Sequence, residues 1–411
     1  RNKKQSFLFF YNSIMKNKNK RTDFNFGRYE LRHFHAKPIP FAKLYLNKSV
    51  PLKYVIVALC GIAYAFLTTC FIKNTGAFSF GLSSFLQGIA KLANYFITDS
   101  RGVYNATIYS ALFWGLILVG NIPLFIFAWF KIGKRFAMLT LTFLISNSLA
   151  GFVFDFIPGI DGWSLFGETN LWCANTNHCW IYLLKEKHIQ VLPFSVPRAL
   201  ADDYHPSNFV KPILLILSTV TYAFIASFVF AVIFIAGGST AGTDIVSVYL
   251  AGAKKKDVGS FFLALNLIMI TLASAIGTFT PACLACPECR SVEFFFNSNW
   301  IGTIISMLMF VAIYKKLYPN SKKCRVEVYS KKVKQIRDLL YKNHYVHGSS
   351  LTERMGGYSK KKQQMFITIC AATELPMILD QINTVDKDSI ITISRIEAID
   401  GPFNLQRQGT Q

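Results

Sequence analysis

Six apolar runs constrain this 411-residue chain more than any other feature: Leu52–Ile72, Ile108–Phe130, Phe136–Ile157, Ile213–Ala236, Val258–Thr280 and Trp300–Leu317. A helix needs about 20 apolar residues to cross the hydrocarbon core of a bilayer. Within lipid, the backbone must also satisfy its own hydrogen bonds. Runs of this length, in a chain 52% hydrophobic and 15% aromatic, predict an α-helical polytopic membrane protein with about six spans. They exclude an ordinary soluble core.

The net charge of +22 is distributed in a way that fits a membrane. Residues 1–50 carry 12 basic against 2 acidic side chains, and residues 320–411 carry 15 against 9. Lys131, Lys134 and Arg135 form one basic cluster between runs, and Lys254 to Lys256 form another. With six spans, all four regions fall on one side, and an excess of Lys and Arg marks that side as cytoplasmic. Both termini are therefore expected inside, with the near-neutral segment 158–210 outside. Anionic lipid accounts for the basic charge, and no nucleic-acid recognition motif accompanies it. The run from Leu52 is too long for a signal peptide and lacks a small-residue cleavage site.

The chain reads as three regions: a basic arm over 1–50, a membrane domain over 51–318, and a soluble domain over 319–411. The membrane domain repeats one grammar in halves 52–157 and 211–318. A span leads to a Gly/Ser-rich loop, a short helix and then two more spans. The first loop is Gly76 to Ser84, before a helix expected over Phe85–Ile97. The second is Gly237-Gly238-Ser239-Thr240-Ala241-Gly242-Thr243-Asp244, before a helix expected over Ile245–Ala253. Aligning Gly76 with Gly237 places Gly81 on Gly242 and Ser79 on Thr240; Lys91 falls near Lys254, and Asn121 is mirrored by Asn266. This is an internal duplication. Three spans per half force the copies to insert in opposite senses, so the loops enter from opposite sides. Inverted repeats with interrupted helices meeting near the midplane are a recurring transporter build. The same segments also read as surface turns capping interfacial helices.

The tail predicts a ferredoxin-like βαββαβ domain. Its expected strands are Arg325–Ser330, His347–Glu353, Gln364–Ala371 and Ser389–Ile399. Its expected helices are Lys331–Lys342 and one capped by Thr373 and running to about Ile382.

These motifs resemble a known family. Gly237 to Ile245, with Asn121-Ile122-Pro123-Leu124-Phe125 and Lys131-Ile132-Gly133-Lys134, is similar to the YitT family of bacterial membrane proteins. Gly356-Gly357-Tyr358-Ser359-Lys360-Lys361 and Glu374-Leu375-Pro376 resemble the domain of unknown function that usually ends those proteins. The resemblance covers roughly residues 52–403 and implies a bacterial cytoplasmic membrane, without supplying an activity. The chain departs from the pattern in reading Gly76-Ala77 and in the length of its outer segment.

Asp244 is the sharpest candidate. A carboxylate at membrane depth costs about 2.5–3.5 kcal/mol on insertion scales. It reads either as a proton or cation site built with Ser239, Thr240 and Thr243, or as the N-cap of the helix that follows. Asn121 and Asn266 read as interhelical hydrogen-bonding groups within spans. The loop has the spacing of a phosphate-binding P-loop, but Thr243 stands where Lys is needed. A nucleophile elbow fails likewise for want of a His, so no enzyme activity is expected. Cys173, Cys179, Cys283, Cys286 and Cys289 lie in outer segments, where disulfides are the commoner fate; the two-residue spacing of Cys283, Cys286 and Cys289 leaves metal ligation as the lesser reading. In the tail, Gly356, Gly357, Tyr358 and Lys360 read as either a grip for a small anionic ligand or a plain strand connection. The leading function is transport of a small solute or ion under control of the tail; the alternative is a membrane-anchored sensor or assembly protein. Implied partners are the lipid bilayer, that solute, a ligand of the tail and a second copy of the chain, with no cofactor and no nucleic acid.

Overall fold

The computed structural model describes residues 40–46, 49–97, 106–158, 160, 207–254, 258–285, 292–319, 322–357, 360–399 and 403. The N-terminal arm before residue 40 lies outside them, as do Cys173, Cys179, Cys286, Cys289 and Tyr358. Among the described residues, six helices are long and apolar enough to cross a membrane: Val50–Lys73, Ile108–Lys131, Lys134–Phe154, Ile213–Ala236, Val258–Leu284 and Ser298–Leu317. They match the six apolar runs and are called the first to sixth spans.

The first span shows how its sequence divides between lipid and protein. Leu52, Val55, Leu59, Ile62 and Phe66 recur every three or four residues and are exposed, while Val57, Gly61, Tyr64 and Ala65 are buried on the other side. Exposed leucine and isoleucine suit a solvent of lipid tails. The first span packs on the third, and the fourth packs on the sixth, so both halves use the same pairing. Phe143, Tyr222, Phe230, Phe262 and Phe310, drawn from both halves, share one buried cluster. Rings of Phe230 and Phe310 meet edge to face at 4.7 Å.

Shorter helices pack against these spans. Helix α1 is Ala42–Leu46, α2 is Leu82–Ile97 and α3 is Thr243–Lys254. Helix α2 begins three residues earlier than expected, because Ser84 Oγ bonds to the Gly81 carbonyl at 2.6 Å and makes Ser83 and Ser84 part of its first turn. It packs on the fifth span through Gly88, where a Cβ would come within 2.8 Å of the Ala273 carbonyl oxygen. Small residues that let backbones approach are the usual means of packing helices in lipid. A π-helical stretch, Ala275–Phe279, follows in the fifth span, and a second one, Thr68–Lys73, ends the first.

The stretch Thr68–Lys73 places Lys73 in a largely buried ion pair. Its Nζ lies 2.6 Å from Asp155 Oδ2 and donates to Ser110 Oγ at 2.6 Å, while Trp114 Nε1 donates to the same Asp155 oxygen at 2.8 Å. Three spans of the first half are thus tied at one end.

The C-terminal domain follows the predicted βαββαβ order. It comprises β1 (Lys323–Tyr329), α4 (Val333–Lys342), β2 (Ser349–Met355), β3 (Lys362–Ala371), α5 (Leu375–Val385) and β4 (Ile390–Ile396). The sheet is antiparallel in the order β2-β3-β1-β4, with Val326 of β1 facing Thr368 on one side and Ile393 on the other. Val326, Val328, Ile336, Phe366, Ile378 and Ile382 make its core. Thr373 does not cap α5 as expected. It lies within a 3₁₀ turn, Ala372–Glu374, and the buried Glu374 carboxylate accepts from the Ala371 N–H at 2.9 Å and pairs with His347 at 2.7 Å.

Breaking a buried pair strands a charge and costs about 3–5 kcal/mol. Lys73→Met is therefore expected to lower the thermal unfolding midpoint of the detergent-solubilised protein. Adding Asp155→Asn should recover part of the loss, since Asn keeps an acceptor for Trp114 without the charge. A double variant no more stable than Lys73→Met would contradict this reading.

Candidate functional site

The two Gly-rich loops fold alike. Gly76 and Gly237 have φ of 77° and 97°, and Gly81 and Gly242 have φ of 70° and 63°. Positive φ is costly for a side-chain-bearing residue and free for glycine. Each loop therefore enters and leaves its turn on glycine at the same spacing, as the alignment requires.

Each loop is held by the opposite half. The Phe78 N–H of the first loop donates to Thr303 Oγ1 of the sixth span at 3.2 Å. The Ser239 N–H of the second loop donates to Thr140 Oγ1 of the third span at 3.1 Å. Both threonines pass their own proton to the carbonyl four residues back, Asn299 and Phe136, at 2.6 and 2.8 Å. Phe78 and Ser239 are equivalent positions in the duplication, so the two contacts are one contact made twice.

The asparagines repeat the arrangement. Asn121 Nδ2 donates to the Ile117 carbonyl and Asn266 Nδ2 to the Phe262 carbonyl, both at 2.7 Å. This fixes both amides with the oxygen pointing away from its own helix. Asn121 Oδ1 accepts the Gly242 N–H at 2.6 Å, across the two halves. Asn266 Oδ1 faces Gly81 of the first half, 3.6 Å from where a Cβ would stand, and has no hydrogen-bond partner. Asn121 thus bonds across to the other half as expected, whereas the hydrogen bond Asn266 makes stays within its own helix.

The loop tips touch. A Cβ on Gly81 would lie 2.5 Å from Thr243 Oγ1, and one on Gly242 would lie 3.1 Å from the Leu82 Cβ. Thr243 Oγ1 is also buried without a partner. Around this junction the polar side chains gather. Tyr222 Oη donates to Tyr64 Oη at 2.6 Å, and both phenols are buried. Asp244 is 3% exposed and accepts from the Thr240 hydroxyl. Helix α3 starts at Thr243, so Asp244 lies inside its first turn and Gly242, rather than Asp244, stands at the cap. A negative charge there still gains from the helix dipole.

The first loop is finished differently. Gln87, fully buried, accepts from the Ser79 N–H and donates to the Ala77 carbonyl, both at 3.0 Å. Lys91 donates to the Gly76 carbonyl at 2.8 Å and stands 4.4 Å over the Phe78 ring.

Of the residues singled out in the sequence, Gly237, Gly238, Ser239, Thr240, Gly242, Thr243, Asp244, Asn121 and Asn266 come together at this junction. Gly356, Gly357 and Lys360 do not. They sit in the β2–β3 hairpin, where the Gly356 N–H donates to the Lys361 carbonyl and the Lys360 N–H to the Gly356 carbonyl. Thr140, Thr303, Gln87, Tyr64 and Tyr222 complete the junction and were not singled out. A buried Gln between Ser84 and Ala90 of an apolar helix was the available signal for Gln87. Among the described residues, no cluster of His, Cys, Asp and Glu could hold a metal ion. Cys60, Cys70, Cys324 and Cys370 are thiols; the candidate partners of Cys283 lie outside the described residues.

Gly81→Ala should cost about 2–4 kcal/mol, combining a left-handed φ with an overpacked contact. Thr243→Ala in the same protein should restore part of the thermal midpoint, and Thr243→Val should restore none. Equal effects of the two would show that Thr243 does not face Gly81.

Comparison with known proteins is consistent with this build. Residues 347–401 match a family described as an uncharacterized protein conserved in bacteria (DUF2179). Over 97% of its length the chain is 30% identical to uncharacterized protein MG432 of Mycoplasma genitalium, covering 98% of that protein. It is 31% identical to uncharacterized protein MG443 of the same organism, covering 97% of the chain and 99% of the relative. It is also 23% identical to the UPF0750 membrane protein YitT of Bacillus subtilis, over 41% of the chain and 53% of that protein. No solved structure matches. With six candidate spans, paired Gly-rich loops and a C-terminal DUF2179 domain, the chain belongs to the YitT family of membrane proteins.

Proposed function

We propose that this protein transports a small solute or ion through the junction of its two loops, and that its C-terminal domain, on the cytoplasmic side, regulates the passage. The observation that carries the reading is the reciprocal anchoring of the loops. Alternating access needs one half of an inverted repeat to move against the other around a fixed site. Here each loop is hydrogen-bonded to the opposite half through single contacts from a loop N–H to a hydroxyl or amide oxygen, which a solute or water can replace at small net cost.

The regulatory part rests on a second set of contacts. Helix α1 packs against both α5 of the C-terminal domain and the fourth span. Tyr45 of α1 touches the membrane core and the C-terminal core alike, and burial pushes its phenol up from its ordinary value, with Tyr318 contributing. Tyr318 in turn packs on Phe234 at 5.7 Å, and the Phe234 carbonyl accepts the Gly237 N–H that opens the second loop. A shift of the C-terminal domain therefore has a packed route to that loop. The basic charge of the loops and tail supports the cytoplasmic placement.

Purified protein reconstituted in liposomes on a solid-supported membrane should give currents or tracer flux on concentration jumps of at least one small solute or ion. The paired variant Thr140→Val with Thr303→Val should change the rate severalfold, and Tyr45→Ala should change it without altering solute selectivity. Silence across sugars, amino acids, nucleobases, organic acids and inorganic ions would favour the sensor reading instead.

A further inference from the structure

We propose that Asp244 holds an exchangeable positive charge, a proton or a small monovalent cation, and that this charge is the driving ion of the junction. The second clause rests on the transport reading above; the first does not.

The Asp244 carboxylate is buried between the halves, and among the described residues no Lys, Arg or His forms an ion pair with it. Its hydrogen-bond donors are neutral groups of Thr240, the hydroxyl and the backbone N–H. The groups facing it from packed elements supply no permanent positive charge. The first span contributes Tyr64 and the fourth Tyr222, two neutral phenols already bonded to each other. The fifth span, against which α3 packs, has no ionisable side chain from Val258 to Ser274 and offers Asn266. On the second span, the nearest base in sequence is Lys131, at the end of that helix. On α2, Lys91 is engaged with the Gly76 carbonyl and the Phe78 ring.

A buried carboxylate without a cationic partner is strongly disfavoured, so it must bind a proton or a cation when the site is closed. The surroundings suit either one. Thr243 Oγ1 and Asn266 Oδ1 are more than nine-tenths buried, face the same point beside Gly81, and lack partners. With Thr240, they make the neighbourhood one of hydroxyl and amide oxygens, the donor type that hard cations take. Half-helix ends and unwound backbone serve this purpose in other inverted-repeat proteins.

The test uses the full chain in detergent, read by tryptophan fluorescence on heating, so that binding is seen without flux. One arm replaces choline by Na⁺ at constant pH and ionic strength. The other varies pH in choline alone. A midpoint that rises with Na⁺ at fixed pH identifies a metal cation; a midpoint that rises only as pH falls identifies a proton. In either case Asp244→Asn should be at least as stable as the native protein without the ion, and should lose the response. Tyr249→Phe on α3 leaves the carboxylate and its hydroxyl and amide neighbours in place and should keep the response. A native protein indifferent to both arms overturns the proposal whatever the variants do, as does an Asp244→Asn variant that responds like the native protein. A protein that binds the ion but moves no solute would overturn the transport reading and leave the binding site standing.

Discussion

A chain that leaves helical conformation within a membrane must still satisfy its backbone N–H groups, and that constraint governs the membrane domain. The two loops that break the helical pattern here have donors at Phe78, Ser239 and Gly242, all buried, so none can turn to water. Each finds a side-chain oxygen on the opposite half. An unsatisfied buried donor costs about 1–3 kcal/mol or more, so each half is incomplete without the other. The pairing of the spans and the glycines at the turns follow from bringing these donors to these acceptors.

The duplication explains why the arrangement is reciprocal. Three spans per copy set the halves in opposite senses, so equivalent loops approach from opposite sides and their tips meet. One contact type is then generated twice, as at Thr140 and Thr303. The departures from symmetry are the informative part. Gln87 stabilises the first loop internally, while the second keeps an acidic side chain in its first helical turn; Asn121 has its donor, while Asn266 does not. A symmetric scaffold has been left with unsatisfied oxygens on one side of its junction, and these make it a candidate site.

Most of the fold was legible in the residues because the bilayer imposes a coarse code. Long apolar runs, basic clusters between them and glycines at matched positions are direct consequences of burial in lipid and of backbone geometry. The same holds for the tail, where alternation in Arg325–Ser330 reported a sheet covered on one face, and the strongly apolar Gln364–Ala371 reported a strand inside it. The anchoring threonines were not legible. A Thr within an apolar helix satisfies its own hydroxyl through the carbonyl four residues back, so its presence carries no tension that sequence could reveal. Its loop partner lies 99 residues away for Thr140 and 225 for Thr303. Tyr64 and Tyr222 were hidden in a chain with 18 tyrosines and 38 phenylalanines. The start of α2 was misplaced because Ser83 and Ser84 read as loop until the bond from Ser84 to Gly81 shows them as a helical turn.

The meeting of the loop tips is best tested by distance. Leu82 and Ala241 pack in the same cluster beside Gly242, on loops from opposite halves. With the native cysteines replaced, Leu82→Cys with Ala241→Cys should form a disulfide under mild oxidation in the membrane, seen as altered mobility that reductant reverses. Leu59→Cys with Ala241→Cys, which pairs the loop with a lipid-facing position, should not cross-link. Failure of the first pair to link, or equal linking of both, would contradict a junction built from two loops held by opposite halves.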